Sequence, residues 1–478
     1  MNSLNALFPL LTLIVGALLI ILLEVSVKRE NKTYLAYISI IFLMICGFFC
    51  VQSWGKDFSY FNNHLYLDNF ALFFSFVLII ATILVILISM KYLSLQNMNI
   101  GEYYALLLLA LSGMLIMVSS SDLIVIFLGL EILSMSSYTL AGLKRGDQKS
   151  SEAALKYFLL GSFASAFLVY GLALLYGVSN STSIAAIIKH FQAESSLSFM
   201  AYAGLGLVIV GFGFKIAVVP FHMWTPDVYQ GAPTPITAFF SIGPKAVGFA
   251  VLVRLLYPFW RVAFNSEIIF SLLWIISALT MIIGNLIALR QTNIKRMLAY
   301  SSIAHAGYLM VAILSQDTSS LLFYFVVYLF MNIGAFAAVI ALGKENKEYT
   351  ELEDYAGIGF KYPWIGATFT VFLFSLAGFP PTGGFLAKFY VFSAAVREGL
   401  LSLVVIGVLA SLVSVYYYLR VIVYMYMREP THEVDINLEN PAIFLVLFLC
   451  LYGVLQLGIF PGNVLLIIKQ AVSSIAFL

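Results

Sequence analysis

The chain has 478 residues, of which 62% are hydrophobic and only 10% charged, with a formal net charge of +2. A soluble protein carries about a quarter charged residues, so a chain wetted over most of its surface is excluded. The small net charge leaves no basic face for a nucleic acid.

Fourteen apolar segments are predicted, at approximately 4–27, 35–54, 68–90, 102–118, 121–142, 153–177, 200–221, 234–257, 266–289, 297–314, 319–343, 362–395, 399–427 and 441–468. Runs of ~20 apolar residues read as membrane-spanning helices, so the expected fold is an all-α polytopic membrane protein. The opening MNSLNALFPL has no basic n-region and no small-residue cleavage site, and the first segment reads as a retained helix. Lysine and arginine concentrate in alternate links, among them Lys28, Arg29, Lys144, Lys149, Lys295 and Lys344. Lys56, Lys189, Arg254, Arg261, Arg397 and Lys469 fall to the other links. By the positive-inside rule both termini are expected on the periplasmic side.

Two segments are interrupted. The seventh breaks at Pro220 in KIAVVPFHMW, and the twelfth breaks in LAGFPPTGGFLAKF, residues 376–389. Proline removes a backbone donor and clashes with the preceding turn. Irregular backbone survives at membrane depth only inside protein or beside water. The breaks lie five helices apart, and an odd number of crossings inverts the second copy. Two inverted five-helix repeats are therefore expected, helices 4–8 over 96–258 and helices 9–13 over 259–428, flanked by 1–95 and 429–478.

Charges inside the apolar segments are the candidate functional groups. Each costs ~2.5–3.5 kcal/mol at the bilayer centre. Glu131 shares a helix face with Ser134 and Tyr138, and its natural partner is a buried lysine. Lys215 and His222 flank Pro220, where burial without an acid disfavours any charged form. Lys245 follows Gly243-Pro244, and Lys388 is expected in the first turn after the second break, where the helix dipole repels a cation. His305 stands between those lysines in sequence and can relay a proton through its two nitrogens. Lys156 lies four residues after Glu152, which suits a surface pair as well as a relay. Asp227, Tyr229 and Gln230 read as turn chemistry. Cys46, Cys50 and Cys450 have no metal or iron–sulfur spacing, and the five histidines are scattered, so no redox centre is expected in the chain. Nucleotide loops and nucleophile elbows are absent from the sequence.

VPFHMWTPDVYQGAPTPITAFF, NLIALRQTNIKRMLAYSSIAHAGYL and SLAGFPPTGGFLAKFYVF resemble subunit N of bacterial NADH–quinone oxidoreductase, one of the antiporter-like membrane subunits of respiratory complex I. The resemblance covers nearly the whole chain. It implies a Glu131–Lys215 pair, a central Lys245 and an outward-facing Lys388, with Lys156, His222 and His305 as further relays. It implies proton translocation driven by quinone reduction elsewhere, in a bacterial inner membrane. NADH, FMN, iron–sulfur clusters and quinone would bind partner subunits, with no cofactor here. The implied neighbours are antiporter-like subunit M and the small membrane subunits toward the quinone site. An Mrp-type cation/proton antiporter and a non-pumping assembly scaffold are the competing readings.

Overall fold

The computed structural model describes residues 7–27, 32–56, 58–60, 64–98, 100–193, 197–263, 267–430, 434 and 440–475. Lys28, Arg29 and the side chain of Arg261, used above for orientation, lie outside the described residues.

In lipid a backbone must satisfy its own hydrogen bonds, and helices do so. The chain opens with α1 (Phe8–Ser26) and α2 (Thr33–Ser53), then a hairpin of β1 (Phe58–Tyr60) and β2 (Leu65–Leu67). The hairpin is antiparallel, with Phe58 opposite Leu67. Next come α3 (Asn69–Leu95), α4 (Glu102–Ser119), α5 (Leu123–Ala141), α6 (Gln148–Ser179) and the short amphipathic α7 (Ile184–Ala193). The seventh segment is α8 (Phe199–Ile216), a turn and α9 (Thr225–Gly231). They are followed by α10 (Thr234–Ala263), α11 (Glu267–Ala288), α12 (Ile294–Leu314), α13 (Thr318–Ala341) and a turn of helix, α14 (Ile358–Lys361). The twelfth segment divides into α15 (Pro363–Ala377) and α16 (Gly383–Arg397), before α17 (Leu401–Met427), α18 (Pro441–Ile459) and α19 (Gly462–Ser473). Thirteen helices among the described residues are long and apolar enough to cross a membrane. The α15–α16 pair adds one broken crossing, so the fourteen predicted segments are present.

The centre of the bundle is α10, buried along its whole spanning window, with α12 and α13 almost as deep. Large apolar side chains on the periphery, such as Leu22, Phe163 and Leu412, are exposed, as suits helices bathed in lipid. Both breaks form as the prolines require. Helix α8 ends with Ala217 in the left-handed region, and α15 ends with Gly378 there. Helix α16 then packs so closely on α15 that a Cβ on Gly384 would sit 1.8 Å from the Ser375 carbonyl oxygen.

The two halves match in detail. Asp122 caps α5 and Asn293 caps α12. Asp147 caps α6 and Asp317 caps α13. The backbone before α5 pairs with Ser183, and that before α12 pairs with Glu351. Glu131 follows its cap by nine residues, and Ser302 follows Asn293 by nine; Ser134 and His305 occupy the next matching pair.

Two basic residues assigned to links lie inside the bundle. Arg254 is within α10 and is 1% exposed; Lys295 is in the first turn of α12 and is 2% exposed. The boundary drawn from the apolar run falls short at Lys295, because α12 begins at Ile294, before the predicted 297–314; Arg254 lies within the predicted 234–257 and near its end, and α10 carries on to Ala263.

Candidate functional site

Lys215 is in the last turn of α8, where the exposed carbonyls of a helix end favour a cation. Its amine donates to Ser134 Oγ at 2.9 Å and lies 5.6 Å from the Tyr157 ring centroid. The expected direct bond to Glu131 does not form. Glu131 instead accepts from Ser165 on α6, at 2.6 Å. Ser134 stands one turn along α5 from Glu131, on the same face of the helix. Trp224 fixes the segment beyond the break: its indole donates to the Phe214 carbonyl at 3.0 Å and stacks on Tyr157 at 4.4 Å. His222 is buried there.

Helix α10 continues through Pro244, and Lys245 projects onto α12. Its amine donates to the Ser302 carbonyl at 2.6 Å and to Ser302 Oγ at 2.5 Å. Tyr328 on α13 donates to the same hydroxyl at 2.9 Å. One turn on, His305 Nδ1 bonds the Tyr324 hydroxyl at 2.6 Å, and Nε2 lies 3.5 Å from Tyr418 OH on α17. Tyr418 also bonds Ser301. The imidazole thus stands between hydroxyls on both sides, with no acid attached among the described residues.

Lys388 lies in the second turn of α16, not the first. Its stem folds back over the break, and the amine donates to the carbonyls of Leu376 and Ala377 at 3.0 and 2.8 Å. It also donates to Ser411 Oγ on α17 at 2.9 Å. The carbonyl end of α15 therefore holds this cation, in place of the repulsion expected from the start of α16. A cavity of ≈ 460 Å³, lined by Phe385, Phe389, Phe392, Val408 and Leu412, opens beside the amine. Tyr308 lies under it, 5.1 Å from ring centroid to nitrogen. Tyr308 accepts from Asn285, and Asn285 accepts from Tyr417, both at 3.0 Å.

Lys156 stands apart from this line. It pairs with Glu152 and Asp227, both at 2.6 Å, and is 40% exposed. Asp227 also holds Arg296 at 2.6 Å, so it clamps α6 and α12 to α9 and does more than turn the chain. A polar cavity of ≈ 220 Å³ on the same face is lined by Tyr92, Lys144, Asp147, Lys295 and Glu348. Burial would raise the Glu348 carboxyl, but Lys295, Tyr92, Thr234 and Lys144 outweigh it and hold the group below the usual carboxylate range.

Sequence reasoning missed the hydroxyls: Ser302, Tyr324, Tyr328, Tyr418 and Ser411. On apolar helices a tyrosine reads as core, and only the matching of the two halves sets Ser302 and His305 opposite Glu131 and Ser134. Among the described residues no group of His, Cys, Asp and Glu is placed to hold a metal ion.

Broken membrane helices, each with a lysine seated at the break, define a helical ion-translocating membrane protein. Residues 120–414 match the family described as NADH:quinone oxidoreductase/Mrp antiporter, TM. The NADH-quinone oxidoreductase subunit N of Trichlorobacter lovleyi is 49% identical over 479 residues, covering 99% of this chain and 98% of that one. A chain of respiratory complex I from Thermus thermophilus with bound aureothin superposes with a TM-score of 0.82 at 33% identity, covering 96% of this chain and 98% of its own. A chain of the Mrp complex from Dietzia shares the fold, with a TM-score of 0.84 at 20% identity, covering 98% of this chain and 97% of that one. The chain belongs to the NADH-quinone oxidoreductase subunit N family.

Proposed function

We propose that the chain carries protons across the bacterial inner membrane along Glu131, Lys215, Lys245, His305 and Lys388, as the subunit N of an NADH–quinone oxidoreductase. NADH, FMN, iron–sulfur clusters and quinone are assigned to partner subunits. The neighbours are antiporter-like subunit M and the small membrane subunits toward the quinone site. Residues 96–258 and 259–428 form the two antiporter-like repeats, with 1–95 and 429–478 as flanking helices. Both termini face the periplasm, which puts the cavity of Lys144, Lys295 and Glu348 on the cytoplasmic side.

One observation carries this reading. The amines of Lys215, Lys245 and Lys388 are buried on hydroxyls and carbonyls, with no carboxylate in ion-pair distance among the described residues. A buried ammonium kept for packing alone is expected on a carboxylate. On neutral acceptors it exchanges its proton reversibly when its surroundings change. A hydrogen bond to a charged group is worth about 1.5–3 kcal/mol, and moving a unit charge through 100 mV costs about 2.3 kcal/mol. Swinging Lys215 from Ser134 to Glu131 is therefore an exchange of the right size. His222 and Lys156 flank the path, and Lys156 holds Asp227 in place.

The test is the Lys215→Ala complex in sealed vesicles. Proton uptake per NADH oxidised should fall severalfold or more. Uptake at the normal ratio, at full electron-transfer rate, removes Lys215 from the path.

A further inference from the structure

Among the described side chains of the central helix α10, Arg254 is the one charged group that the path above leaves unused. It follows Lys245 by nine residues on α10, about 14 Å along the axis, toward the face opposite the lysine-rich one. Its Nε donates to the Val118 carbonyl at 2.9 Å, its Nη2 donates to Asp68 Oδ1 at 2.6 Å, and the guanidinium lies 5.0 Å from the Phe70 ring centroid. Asp68 caps α3, and Val118 is in the last turn of α4. Two helix ends and a central helix are thus fastened around one fixed cation.

The second half repeats the arrangement. Arg420 follows Ser411 by nine residues on α17, as Arg254 follows Lys245 on α10. It donates to the carbonyls of Leu289 and Gln291. Val118 stands four residues before the Asp122 cap, and Leu289 stands four before the Asn293 cap. In each half the last helix sends an arginine to the carbonyl end of the first. The helices run in opposite directions: α10 begins beside Glu348, and α17 ends beside Gln291, next to the Asn293–Glu351 bridge. The two arginines therefore sit at opposite faces of the membrane.

A guanidinium stays protonated in proteins and has no acceptor, so it cannot receive and hand on a proton. In a low-dielectric interior a fixed cation also repels hydronium over several ångströms; the Asp68 carboxylate offsets part of that field at Arg254, whereas Arg420 rests on carbonyls. We propose that Arg254 is an electrostatic stop, which keeps a proton at Lys245 from leaving through the outer end of the first half, and that Arg420 does the same at the opposite end of the second. Alternating delivery needs such ends closed, because a half open on both sides short-circuits the gradient. This proposal rests on the proton path above.

The experiment uses the intact complex in sealed inverted vesicles and two readouts, NADH-driven proton uptake and passive proton conductance without NADH. Arg254→Met with Asp68→Leu removes both charges and leaves an apolar contact in their place. Passive conductance should rise severalfold and net uptake per NADH should fall, with NADH oxidation maintained. Asp68→Asn, which keeps the guanidinium, should stay tight. Wild-type passive conductance in an assembled double variant overturns the proposal and leaves the pair a structural staple. Should that variant fail to assemble, Arg420→Met decides by the same readout, and unchanged conductance overturns the proposal. Normal pumping by Lys215→Ala would remove the path itself, whatever the passive conductance of the arginine variants.

Discussion

Lys388 on α16 donates to the Ala377 carbonyl, 2.8 Å away, and so closes the carbonyl end of α15 across the break between them. The contact makes the amine a structural cap, beside the proton-carrying role proposed for it. The two roles separate by substitution. Lys388→Arg keeps a cation on the same carbonyls but cannot release a proton. The complex should assemble and oxidise NADH, with proton uptake reduced tenfold or more in sealed vesicles. Normal uptake by this variant would show that Lys388 acts only as a cap.

Ser134 offers the reverse change. Its hydroxyl accepts from Lys215, while Glu131 is occupied by Ser165. Ser134→Asp supplies a permanent carboxylate at the same place. The lysine should then be locked as an ammonium, and uptake should fall severalfold. Ser134→Ala, which only removes the acceptor, should have the smaller effect. Equal uptake from wild type and Ser134→Asp argues that the amine does not change state during turnover.

How far the path could be read in advance depended on the residue type. Pro220 and Pro381 announce their breaks because proline cannot continue a helix, and charges such as Lys245 stand out against lipid. Which neutral atom receives each amine is set by helix packing. Nothing local to Lys388 shows that its stem folds back onto α15 when the expected dipole would push it away. Tyr324 reaches His305 from the next helix and Tyr418 from one far along the chain, and their rings look like ordinary core. Lys295 is misplaced for a simpler reason: apolar periodicity marks the hydrocarbon, and α12 begins three residues before the predicted segment. Arg254 falls within its predicted segment, and its place near the end of the apolar run is what gives it to the following link.

Asp227 should matter for assembly more than for transport. It holds Lys156 and Arg296, and both contacts are partly exposed. Each such pair is worth about 0.2–1 kcal/mol. Lys156→Ala should therefore lower the thermal stability of the complex slightly and leave protons per NADH unchanged. A loss of pumping in assembled Lys156→Ala complex would return that lysine to the path.

Glu348 gives a prediction in pH. Lys295, Tyr92 and Thr234 hold its carboxyl below the usual range against burial. A depressed acid stabilises the fold above its unfolded pKa, about 4.3, and that contribution fades as pH falls through the lower folded value. The stability difference between wild type and Glu348→Gln should thus be constant from pH 6 to 8 and shrink below about pH 4. Thermal unfolding in detergent across that range measures it, and a difference that grows on acidification contradicts the assignment.

The break itself is testable at one glycine. A Cβ on Gly384 would meet the Ser375 carbonyl oxygen at 1.8 Å, whereas one at Gly462 would meet nothing within 4 Å. Gly384 N also donates to Ser375 Oγ at 3.1 Å, so α16 is bonded to α15 at the point of closest approach. Gly384→Ala must push the helices apart, at a cost of about 1–3 kcal/mol or more for overpacking. The displacement would carry Lys388 away from Ala377 and Ser411. The variant should lose assembly or uptake, while Gly462→Ala stays within about 0.5 kcal/mol of wild type. If both alanines assemble and pump equally, the close packing of the two half-helices is not what seats the lysine.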